Sequence, residues 1–320
     1  MKILTGIQPS GKLHWGNYFG AMKSMFDLQA KGEQMYMFIA NFHAMTTVRE
    51  GATLREATRD VALDYLACGL DPAKTIVYRQ SDVPEVQELA WYLSCLTPMG
   101  LLERCHSYKD KMAHGFEATH GLFAYPVLMA ADILIMNADL VPVGKDQKQH
   151  LEVTRDLAQK FNNAYGEIFK LPDAYIPQSV ATIPGTDGQK MSKSYHNTIG
   201  LFEDPKAIKK KVMGIVTDST PMEAPKEPEG NSIYELYRLF ATPEEVAKMA
   251  AAFRAGGYGY GMAKKALLEA YHRLFDPFRA RREELARDPD ALEDILRDGA
   301  RKAREAASCT MEKVRVAVGL

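Results

Sequence analysis

The stretch KILTGIQPSGKLHWGNYFGA, residues 2–21, decides the fold. Its first six residues predict a buried β-strand, and the small residues after them allow a tight turn into a helix that begins near His14. Free N–H groups and the positive dipole end of such a helix favour an anion, and His14 and Asn17 can donate to phosphate oxygens. The alternative is an ordinary strand–helix turn with Asn17 as a cap. Open α/β sheets bind nucleotides at this kind of strand–loop–helix.

Short apolar runs alternate with amphipathic helical patterns in the first half of the chain, which predicts a parallel sheet. The predicted strands are KILTGI (2–7), MYMFIANFHAM (35–45), KTIVYRQ (74–80), LVPVG (140–144) and QSVATIP (178–184). The helix after the second strand is predicted to open with the capping box Thr53-x-x-Glu56 and to end near Gly69. A mostly helical stretch separates the third and fourth strands.

From about residue 200 onward only helical periodicity remains, interrupted by the loop TDSTPMEAPKEPEGN (217–231). The predicted fold class is therefore α/β, a Rossmann-like parallel-sheet nucleotide-binding domain with a C-terminal all-α domain. The first domain is expected to span 1–198, with a helical insertion at about 84–138, and the helical domain to span 199–320.

The composition argues against several kinds of partner. A formal charge of −1 gives no overall attraction to nucleic acid or membrane, so a polyanion must be held by local patches. The longest apolar stretch, YPVLMAADILIM (125–136), is interrupted by Asp132 and is too short to span a bilayer. The four cysteines lack metal-ligand spacing. We expect a cytoplasmic protein without a secretion signal, disulfide framework or zinc site, and neither membrane nor DNA as a partner.

Two later segments complement the first one. VPVGKDQKQH (141–150) again runs from a strand into a helix; Gly144 allows close approach by a ribose or base, and Asp146 can accept from ribose hydroxyls or simply cap the helix. KMSKS (190–194) places Lys190 and Lys193 in a Gly-rich loop, from which they can move toward a ligand. Their ammonium groups suit a triphosphate whose charge redistributes as a bond breaks, and a solvated loop is the alternative.

These segments together resemble a known family. HWGN (14–17) and KMSKS (190–194) resemble the signature pair of class I aminoacyl-tRNA synthetases. QPSGKLHWGNYFGA (8–21), YPVLMAADIL (125–134) and PVGKDQKQHLEVTRDLA (142–158) resemble the bacterial tryptophan-specific branch, over nearly the whole chain but more weakly after residue 200. The resemblance implies a tryptophan–tRNA ligase, which forms tryptophanyl-adenylate and pyrophosphate from tryptophan and ATP. Tryptophan then passes to the 3′-terminal ribose of tRNA(Trp).

The resemblance also implies three sets of site residues. The catalytic groups are Lys190, Lys193, Lys111, His14 and Asn17. The ATP-binding residues are Gln8, Pro9, Ser10, Gly16, Asn17, Gly144, Lys145, Asp146, Ile183, Lys190, Met191, Ser192, Lys193 and Ser194. The tryptophan-binding residues are Asp132, Tyr125, Met129, Gln147, His43, Val141 and Val143. No protein residue is assigned to a metal, and Mg²⁺ is expected to accompany ATP.

In the family, Asp132 accepts the indole N–H of tryptophan. The physical chemistry agrees, because a single carboxylate on an otherwise apolar helix needs a donor to stay ionised. A site that accepts an N–H rejects side chains that lack one. A helix cap or an interhelical salt bridge is the alternative for Asp132. For Met129, Val141 and Val143 the alternative is plain core packing, and for His43 it is a satisfied core hydrogen bond.

The resemblance further implies a homodimer, with the helical insertion at the interface, and a tRNA anticodon held by the helical domain. Phosphate contacts would come from clusters such as Lys209–Lys211 or Arg279, Arg281 and Arg282, each of which is alternatively a solvated helix face. Two other functions stay open: a tyrosine-specific or other class I relative, and a non-catalytic paralogue that binds tRNA or tryptophan. Tyrosine recognition would need hydroxyl-directed groups, and a paralogue would be expected to lose its phosphate-contacting lysines.

The chain departs from the family's usual pattern at four places. Leu4 stands where Phe is usual, which removes aromatic packing on the indole. His14 replaces a common Thr, and Lys145 a common Glu. Tyr195-His196 follows the lysine motif where an acidic residue is frequent. Together these departures predict altered loop kinetics or nucleotide affinity rather than loss of a catalytic group.

Overall fold

The computed structural model describes residues 1–105, 115, 117, 119–144, 148–175 and 182–320. Four predicted site residues lie outside this range: Lys111, Lys145, Asp146 and Gln147. Most of the predicted strand at 178–184 lies outside it as well.

Within the described residues, five parallel strands form one sheet in the order β3-β2-β1-β4-β5. The strands are β1 (Lys2–Ile7), β2 (Gln34–Ile39), β3 (Thr75–Arg79), β4 (Leu140–Pro142) and β5 (Asp173–Tyr175). β1 is central and pairs with β2 along its whole length, from Lys2 opposite Gln34 to Ile7 opposite Ile39. The predicted parallel α/β sheet is confirmed, and the carboxyl ends of all five strands share one edge.

β2 ends earlier than predicted, and β5 is a strand that the sequence did not predict. β2 ends at Ile39 rather than Met45, because the backbone turns at Ala40 into the short helix α3 (Asn41–Ala44). The N–H groups of Phe42 and His43 donate to the Gln80 side chain instead of to a neighbouring strand. β5 lies at Asp173–Tyr175, ahead of the segment predicted to form the last strand, and pairs with β4.

The helices of the first half connect these strands. They are α1 (Trp15–Asn17), a π-helical turn (Tyr18–Met22), α2 (Lys23–Ala30), α3, α4 (Gly51–Cys68), α5 (Glu85–Leu96), α6 (Met99–Glu103), α7 (His120–Ile135) and α8 (Lys148–Tyr165). The predicted end of α4 at Gly69 is confirmed by a φ of 124° at that residue. Its predicted capping box is wrong: Glu50 is the N-cap, and Thr53 lies inside the first turn with its hydroxyl donating to the Glu50 carboxylate.

The second half is helical in its described residues, as the periodicity predicts. Its helices are α9 (Pro205–Met213), α10 (Ser232–Phe240), α11 (Pro243–Ala255), α12 (Tyr260–Arg287) and α13 (Pro289–Val318). Side-chain caps start most of them; Asn231 caps α10 and Thr242 forms a full capping box with Glu245 at α11. None of the described helices combines the length and apolarity needed to cross a membrane.

Contacts divide the chain into two compact units. The first unit contains Met1–Gly11, Phe26–Pro177 and Asp288–Leu320, and the second contains Lys12–Met25 and Gln178–Arg287. These limits do not coincide with the predicted domain boundary after residue 198. The assignment of a catalytic and an anticodon-binding domain stays a prediction.

The core of the first unit lies between the sheet and helices α5, α7, α8 and α13. Leu4 is fully buried there, in the same cluster as Val141 and Val143. The last helix rests directly on edge strand β3: a Cβ at Gly299 would collide with the Val77 carbonyl oxygen. Glycine is therefore the residue that this close approach requires.

The core of the second unit is aromatic. Trp15 stacks on Tyr271 at 5.3 Å between ring centroids and meets Phe240 edge-on at 4.7 Å. Phe275 stacks on Tyr271 at 5.3 Å, and Tyr18 approaches Phe275 at 5.0 Å. These ring contacts fix Trp15 and Tyr18 on either side of Gly16 and Asn17.

Candidate active site

The described members of the predicted site fall into two groups. The first unit holds Gln8, Pro9, Ser10, His43, Tyr125, Met129, Asp132, Val141, Val143 and Gly144. The second unit holds His14, Gly16, Asn17, Ile183, Lys190, Met191, Ser192, Lys193 and Ser194. Their roles stay predictions; the two groups are described separately below.

A buried polar cluster in the first unit consists of Asp132, Gln80 and His43, and is called here the Asp132 cluster. Asp132 lies on α7 and is only 2% exposed. Gln80 Nε2 donates to its two oxygens at 3.0 and 2.8 Å, and His43 Nε2 lies 3.0 Å from Oδ2. Burial raises the pKa of Asp132, and the hydrogen bonds from His43 and Gln80 oppose that rise. A carboxylate on an apolar helix was expected to need hydrogen-bond donors, and Gln80 and His43 supply them from within the protein.

Gln80 is a site residue that the sequence reasoning missed. It follows β3 directly, is fully buried, and joins three elements through one amide group. Its Oε1 accepts from the N–H groups of Phe42 and His43 at 3.0 and 3.3 Å, while its Nε2 holds Asp132. One feature of the sequence could have identified Gln80 as a candidate site residue: it is polar and directly follows an apolar strand. Functional side chains of parallel sheets are often found at this end of the strands.

Tyr125, another predicted tryptophan-binding residue, lies next to His43 of this cluster. Tyr125 and His43 line a common cavity of about 480 Å³, and their ring centroids are 6.1 Å apart. The Tyr125 hydroxyl forms a hydrogen bond with Nε2 of His150. Val141 and Val143 belong to the buried core and Met129 packs against it, so plain packing accounts for all three as well.

The predicted ATP residues of the first unit follow two strands. Gln8 comes after β1, and its Nε2 donates to the His43 carbonyl oxygen at 3.2 Å. Pro9 is buried and Ser10 is exposed, with its N–H donating to the Gln8 carbonyl at 2.9 Å. Gly144 is half-buried just beyond β4. The structure brings Gln8 against His43, a contact the sequence did not predict.

In the second unit, His14 and Asn17 form the predicted helix start. The His14 N–H donates to Asn17 Oδ1 at 3.0 Å, so the Asn17 side chain does cap this turn. His14 is 8% exposed, and burial together with the nearby Lys193 ammonium lowers its pKa to about 4. The imidazole is therefore neutral at pH 7 and has an N–H to donate without adding charge.

Gly16 joins this turn to the lysine motif. Its N–H lies 3.3 Å from the sulfur of Met191. A Cβ at Gly16 would come within 2.9 Å of His14 Nδ1, tighter than real side chains allow. The His14 ring thus covers Gly16, and any larger residue would displace it.

The lysine motif begins in a hairpin from Ile183 to Met191, called here the lysine hairpin. Its closing bonds run from the Met191 N–H to the Ile183 carbonyl at 2.8 Å and from the Gly185 N–H to the Gln189 carbonyl at 2.7 Å. The sequence predicted a Gly-rich loop here but not its pairing. The hairpin fixes the backbone on which Lys190 is carried.

Asn197 pins the lysine hairpin and is a second residue that the sequence reasoning missed. It is 2% exposed, and its Nδ2 donates to Asp187 Oδ1 at 2.7 Å and to the Lys190 carbonyl at 3.0 Å. Its Oδ1 accepts from the Ser192 N–H at 2.8 Å. One buried amide therefore orders both the turn and the start of the lysine motif.

The lysine side chains differ in burial. Lys190 is exposed, whereas Lys193 is half-buried, and burial lowers the pKa of Lys193. Lys193 opens a single 3₁₀ turn that runs to Tyr195. The unusual pair after the motif consists of Tyr195, 63% exposed, and His196, whose φ of 53° is left-handed.

Within the described residues no group of three or more His, Cys, Asp or Glu side chains is arranged to hold a metal ion.

Comparisons with known proteins show which family the chain belongs to. The family model described as tRNA synthetases class I (W and Y) matches residues 1–276. The chain is 56% identical to the tryptophan–tRNA ligase of Rhodopirellula baltica and 51% identical to that of Campylobacter jejuni, with all of each chain covered.

Solved structures give the same result. The tryptophanyl-tRNA synthetase of Campylobacter jejuni complexed with ADP and tryptophan matches with a TM-score of 0.95 at 51% identity, covering 100% of both chains. The Mycoplasma pneumoniae tryptophanyl-tRNA synthetase matches with a TM-score of 0.86 at 30% identity, covering 100% of this chain and 97% of that one. The chain belongs to the class I tRNA synthetases of the tryptophan and tyrosine group.

Proposed function

We infer that the protein is a tryptophan–tRNA ligase. The observation that carries this inference is the Asp132 cluster: a carboxylate 2% exposed, ordered by Gln80 and His43, at the carboxyl edge of a nucleotide-binding type of sheet. Full-length relatives named tryptophan–tRNA ligase, at 56% identity, support it.

Tryptophan is selected by Asp132, which accepts the indole N–H. Tyr125 and Gln147 hold the polar end of the amino acid, and Met129, Val141, Val143 and His43 shape the pocket. Gln80 and His43 leave one acceptor position on Asp132 for a ligand, and leaving that position unpaired in a buried site is costly, so side chains that lack an N–H there are rejected. The fully buried Leu4 fills the place where an aromatic residue is common in the family.

ATP is held by the turns after β1 and β4 and by the lysine motif. The first set consists of Gln8, Pro9, Ser10, Gly16, Asn17, Gly144, Lys145 and Asp146, and the second of Ile183, Lys190, Met191, Ser192, Lys193 and Ser194. Mg²⁺ comes bound to the ATP phosphates and neutralises part of their charge.

The first chemical step needs positioning and charge stabilisation rather than a covalent enzyme intermediate. A tryptophan carboxylate oxygen attacks the α-phosphorus in line, the bond to the β-phosphate bridging oxygen breaks, and pyrophosphate leaves. Lys190, Lys193 and Lys111 compensate the negative charge that develops on the phosphates. Neutral His14 donates an N–H there, since its pKa of about 4 keeps it unprotonated at pH 7. A terminal ribose hydroxyl of tRNA(Trp) then attacks the acyl carbon of the adenylate; the ester bond forms, the acyl–phosphate bond breaks, AMP leaves and the hydroxyl proton is released.

The tRNA anticodon is assigned to the helical domain. Of the candidate basic clusters, Lys209 and Lys210 are exposed, whereas Lys211 is paired with Glu203 at 2.7 Å and Arg279 donates to two backbone carbonyls. Lys209 and Lys210 are therefore the better phosphate ligands. A homodimer formed through the helical insertion and a cytoplasmic location complete the proposal.

The deciding experiment is exchange of labelled pyrophosphate into ATP, run with each of the twenty amino acids. Tryptophan alone is expected to support exchange. Exchange with tyrosine alone would replace this proposal with the tyrosine-specific relative. Tryptophan binding without any exchange would indicate the non-catalytic paralogue, a reading that the retained Lys190 and Lys193 disfavour.

A further inference from the structure

We propose that Gln80 is a positioning residue for tryptophan selection: its buried amide fixes the Asp132 carboxylate so that Oδ1 keeps one acceptor position for the indole N–H. The proposal rests on the inferred tryptophan–tRNA ligase activity. In this proposal the Gln80 amide sets the orientation of the Asp132 carboxylate and stabilises its charged form.

The hydrogen bonds to Asp132 are unevenly shared between its two oxygens. Oδ2 receives Gln80 Nε2 at 2.8 Å and His43 Nε2 at 3.0 Å, while Oδ1 receives Gln80 Nε2 alone, at 3.0 Å. Each carboxylate oxygen has two lone pairs. Among the donors of the described residues, Oδ2 is thus saturated and Oδ1 has one acceptor position left. An indole N–H can occupy that position without displacing Gln80 or His43.

The orientation of the Gln80 amide is set by the backbone. Its Oε1 faces two N–H donors, from Phe42 at 3.0 Å and His43 at 3.3 Å. A flipped amide would put its NH₂ group against those two N–H groups and its oxygen against the Asp132 carboxylate. Both arrangements are repulsive, so only one amide orientation is compatible with the site. Gln80 is 0% exposed, and water cannot substitute for these partners.

This arrangement gives Gln80 two effects on Asp132. Hydrogen bonds to the charged form stabilise an anion that burial alone would destabilise. A donor shared between the two oxygens also restrains rotation of the carboxylate, which keeps Oδ1 at one place. Without Gln80, His43 is the remaining described partner of Asp132, and it binds Oδ2.

The first test is Gln80→Met, which removes both sets of hydrogen bonds at nearly constant volume. We expect the KM for tryptophan to rise at least about tenfold, with the KM for ATP much less affected. Discrimination between tryptophan and its benzothiophene analogue, which lacks the indole N–H, should fall by a similar factor. Both are measured by pyrophosphate exchange.

Gln29→Met is the matched control. Gln29 is another buried glutamine of the first unit, 8% exposed, whose Nε2 donates to the Gly69 carbonyl and whose Oε1 accepts from Asp71 and Thr75. Its loss also breaks buried hydrogen bonds, but none to Asp132. We expect a comparable drop in thermal midpoint with unchanged discrimination against the analogue.

The second test is Gln80→Glu, which keeps an acceptor for the Phe42 and His43 N–H groups and puts a second carboxyl group against Asp132. Two adjacent carboxyl groups share a proton as the pH falls, and a protonated one donates. The ratio of the tryptophan KM in this variant to that in the wild type should therefore be larger at pH 8 than at pH 6. A purely structural role predicts a ratio independent of pH.

The outcomes distinguish failure of the proposed ligase activity from failure of the proposed role of Gln80. No tryptophan-dependent exchange by the wild type overturns the proposed function, and this inference with it. Normal wild-type exchange overturns this inference alone if both Gln80 variants discriminate against the analogue as the wild type does. If Gln80→Met does not fold, the pH dependence of Gln80→Glu decides.

Discussion

The Asp132 cluster and the lysine hairpin use a buried amide in opposite ways. In the Asp132 cluster, the Gln80 amide is bound to the functional group itself, and the carboxylate is 2% exposed. In the lysine hairpin, the Asn197 amide is bound to the backbone, and the side chain of Lys190 is exposed. In the first region the amide orders the functional side chain itself, and in the second it orders only the backbone that carries the functional side chain.

The difference fits what each region is proposed to recognise, an indole N–H in one case and a triphosphate in the other. An acceptor distinguishes an N–H from a C–H only where water does not compete for the hydrogen bond. Such an acceptor must be shielded from water and held in one orientation. A triphosphate changes its charge distribution during reaction, and long solvated cations can follow it at little cost in desolvation. The largest expected effects therefore come from the functional groups, and smaller ones from their supports.

Lys193→Met should give the largest loss. Removing one charge-stabilising group from a transition state costs on the order of 10²–10³ in kcat. Pyrophosphate exchange at saturating tryptophan measures this loss without tRNA. Lys206→Met, which removes an exposed lysine of α9, is the control and should leave exchange unchanged. Equal losses in both variants would mean that Lys193 makes only a general electrostatic contribution.

Asp132→Ala should lower kcat/KM for tryptophan roughly a hundredfold. The acceptor for the indole N–H is lost, and the donors of Gln80 and His43 are left unpaired in a buried site. The KM for ATP should change far less. Asp139→Ala is a matched control in the same unit, where the carboxylate accepts from the Lys2 N–H and from Lys170 Nζ. A parallel loss of ATP and tryptophan affinity would make Asp132 a structural residue and remove the contrast between the two regions.

Asn197→Ala should lower kcat about tenfold, since it frees the backbone of the lysine hairpin while leaving both lysines in place. The Ser192 amide, which donates to Asn197 Oδ1 at 2.8 Å, should exchange its hydrogen faster. Asn163→Ala on the exposed face of α8 is the control. Unchanged kcat with faster exchange at Ser192 would mean that the lysines act without a fixed backbone.

The smallest effect concerns His14 and pH. Its folded pKa of about 4 lies below the ordinary value of 6.5 because of burial and Lys193. The unfolded chain therefore binds more protons between these values, and the stabilisation is complete above pH 6.5 and is lost as the pH falls toward 4. Its size is at most about 3 kcal/mol. Thermal midpoints from pH 8 to 4.5 should fall more steeply for the wild type than for His14→Asn.

The sequence predicted the elements well because their signals are local. The β1 strand, the helix start near His14 and the helical character of the second half depend on patterns within one segment, and all are found where they were predicted. The overlong second strand has a different cause. Its last residues form a helix because their N–H groups bond to Gln80, 38 residues further along the chain. No pattern within that segment carries this information.

The same limit explains what was missed at the site. Gln80 acquires its role from Asp132, 52 residues away, and only the fold brings them together. Asn197 follows the lysine motif closely in the sequence. Its role nevertheless depends on the lysine hairpin, which places the Asp187 side chain and the Lys190 carbonyl within its reach. The motif residues that the resemblance assigns to a ligand are visible in the sequence; the residues that hold those side chains in place are not.

The contact between Gly299 and Val77 has a consequence for how the protein is made. β3 ends at Arg79, whereas the 30-residue helix α13 that covers it begins only at Pro289, so the strand leaves the ribosome well before its cover is synthesised. An edge strand without its cover is a template for pairing with another chain. Nascent chains stalled before α13 should therefore depend on chaperones, and a chain that ends before Pro289 should aggregate rather than form a smaller enzyme.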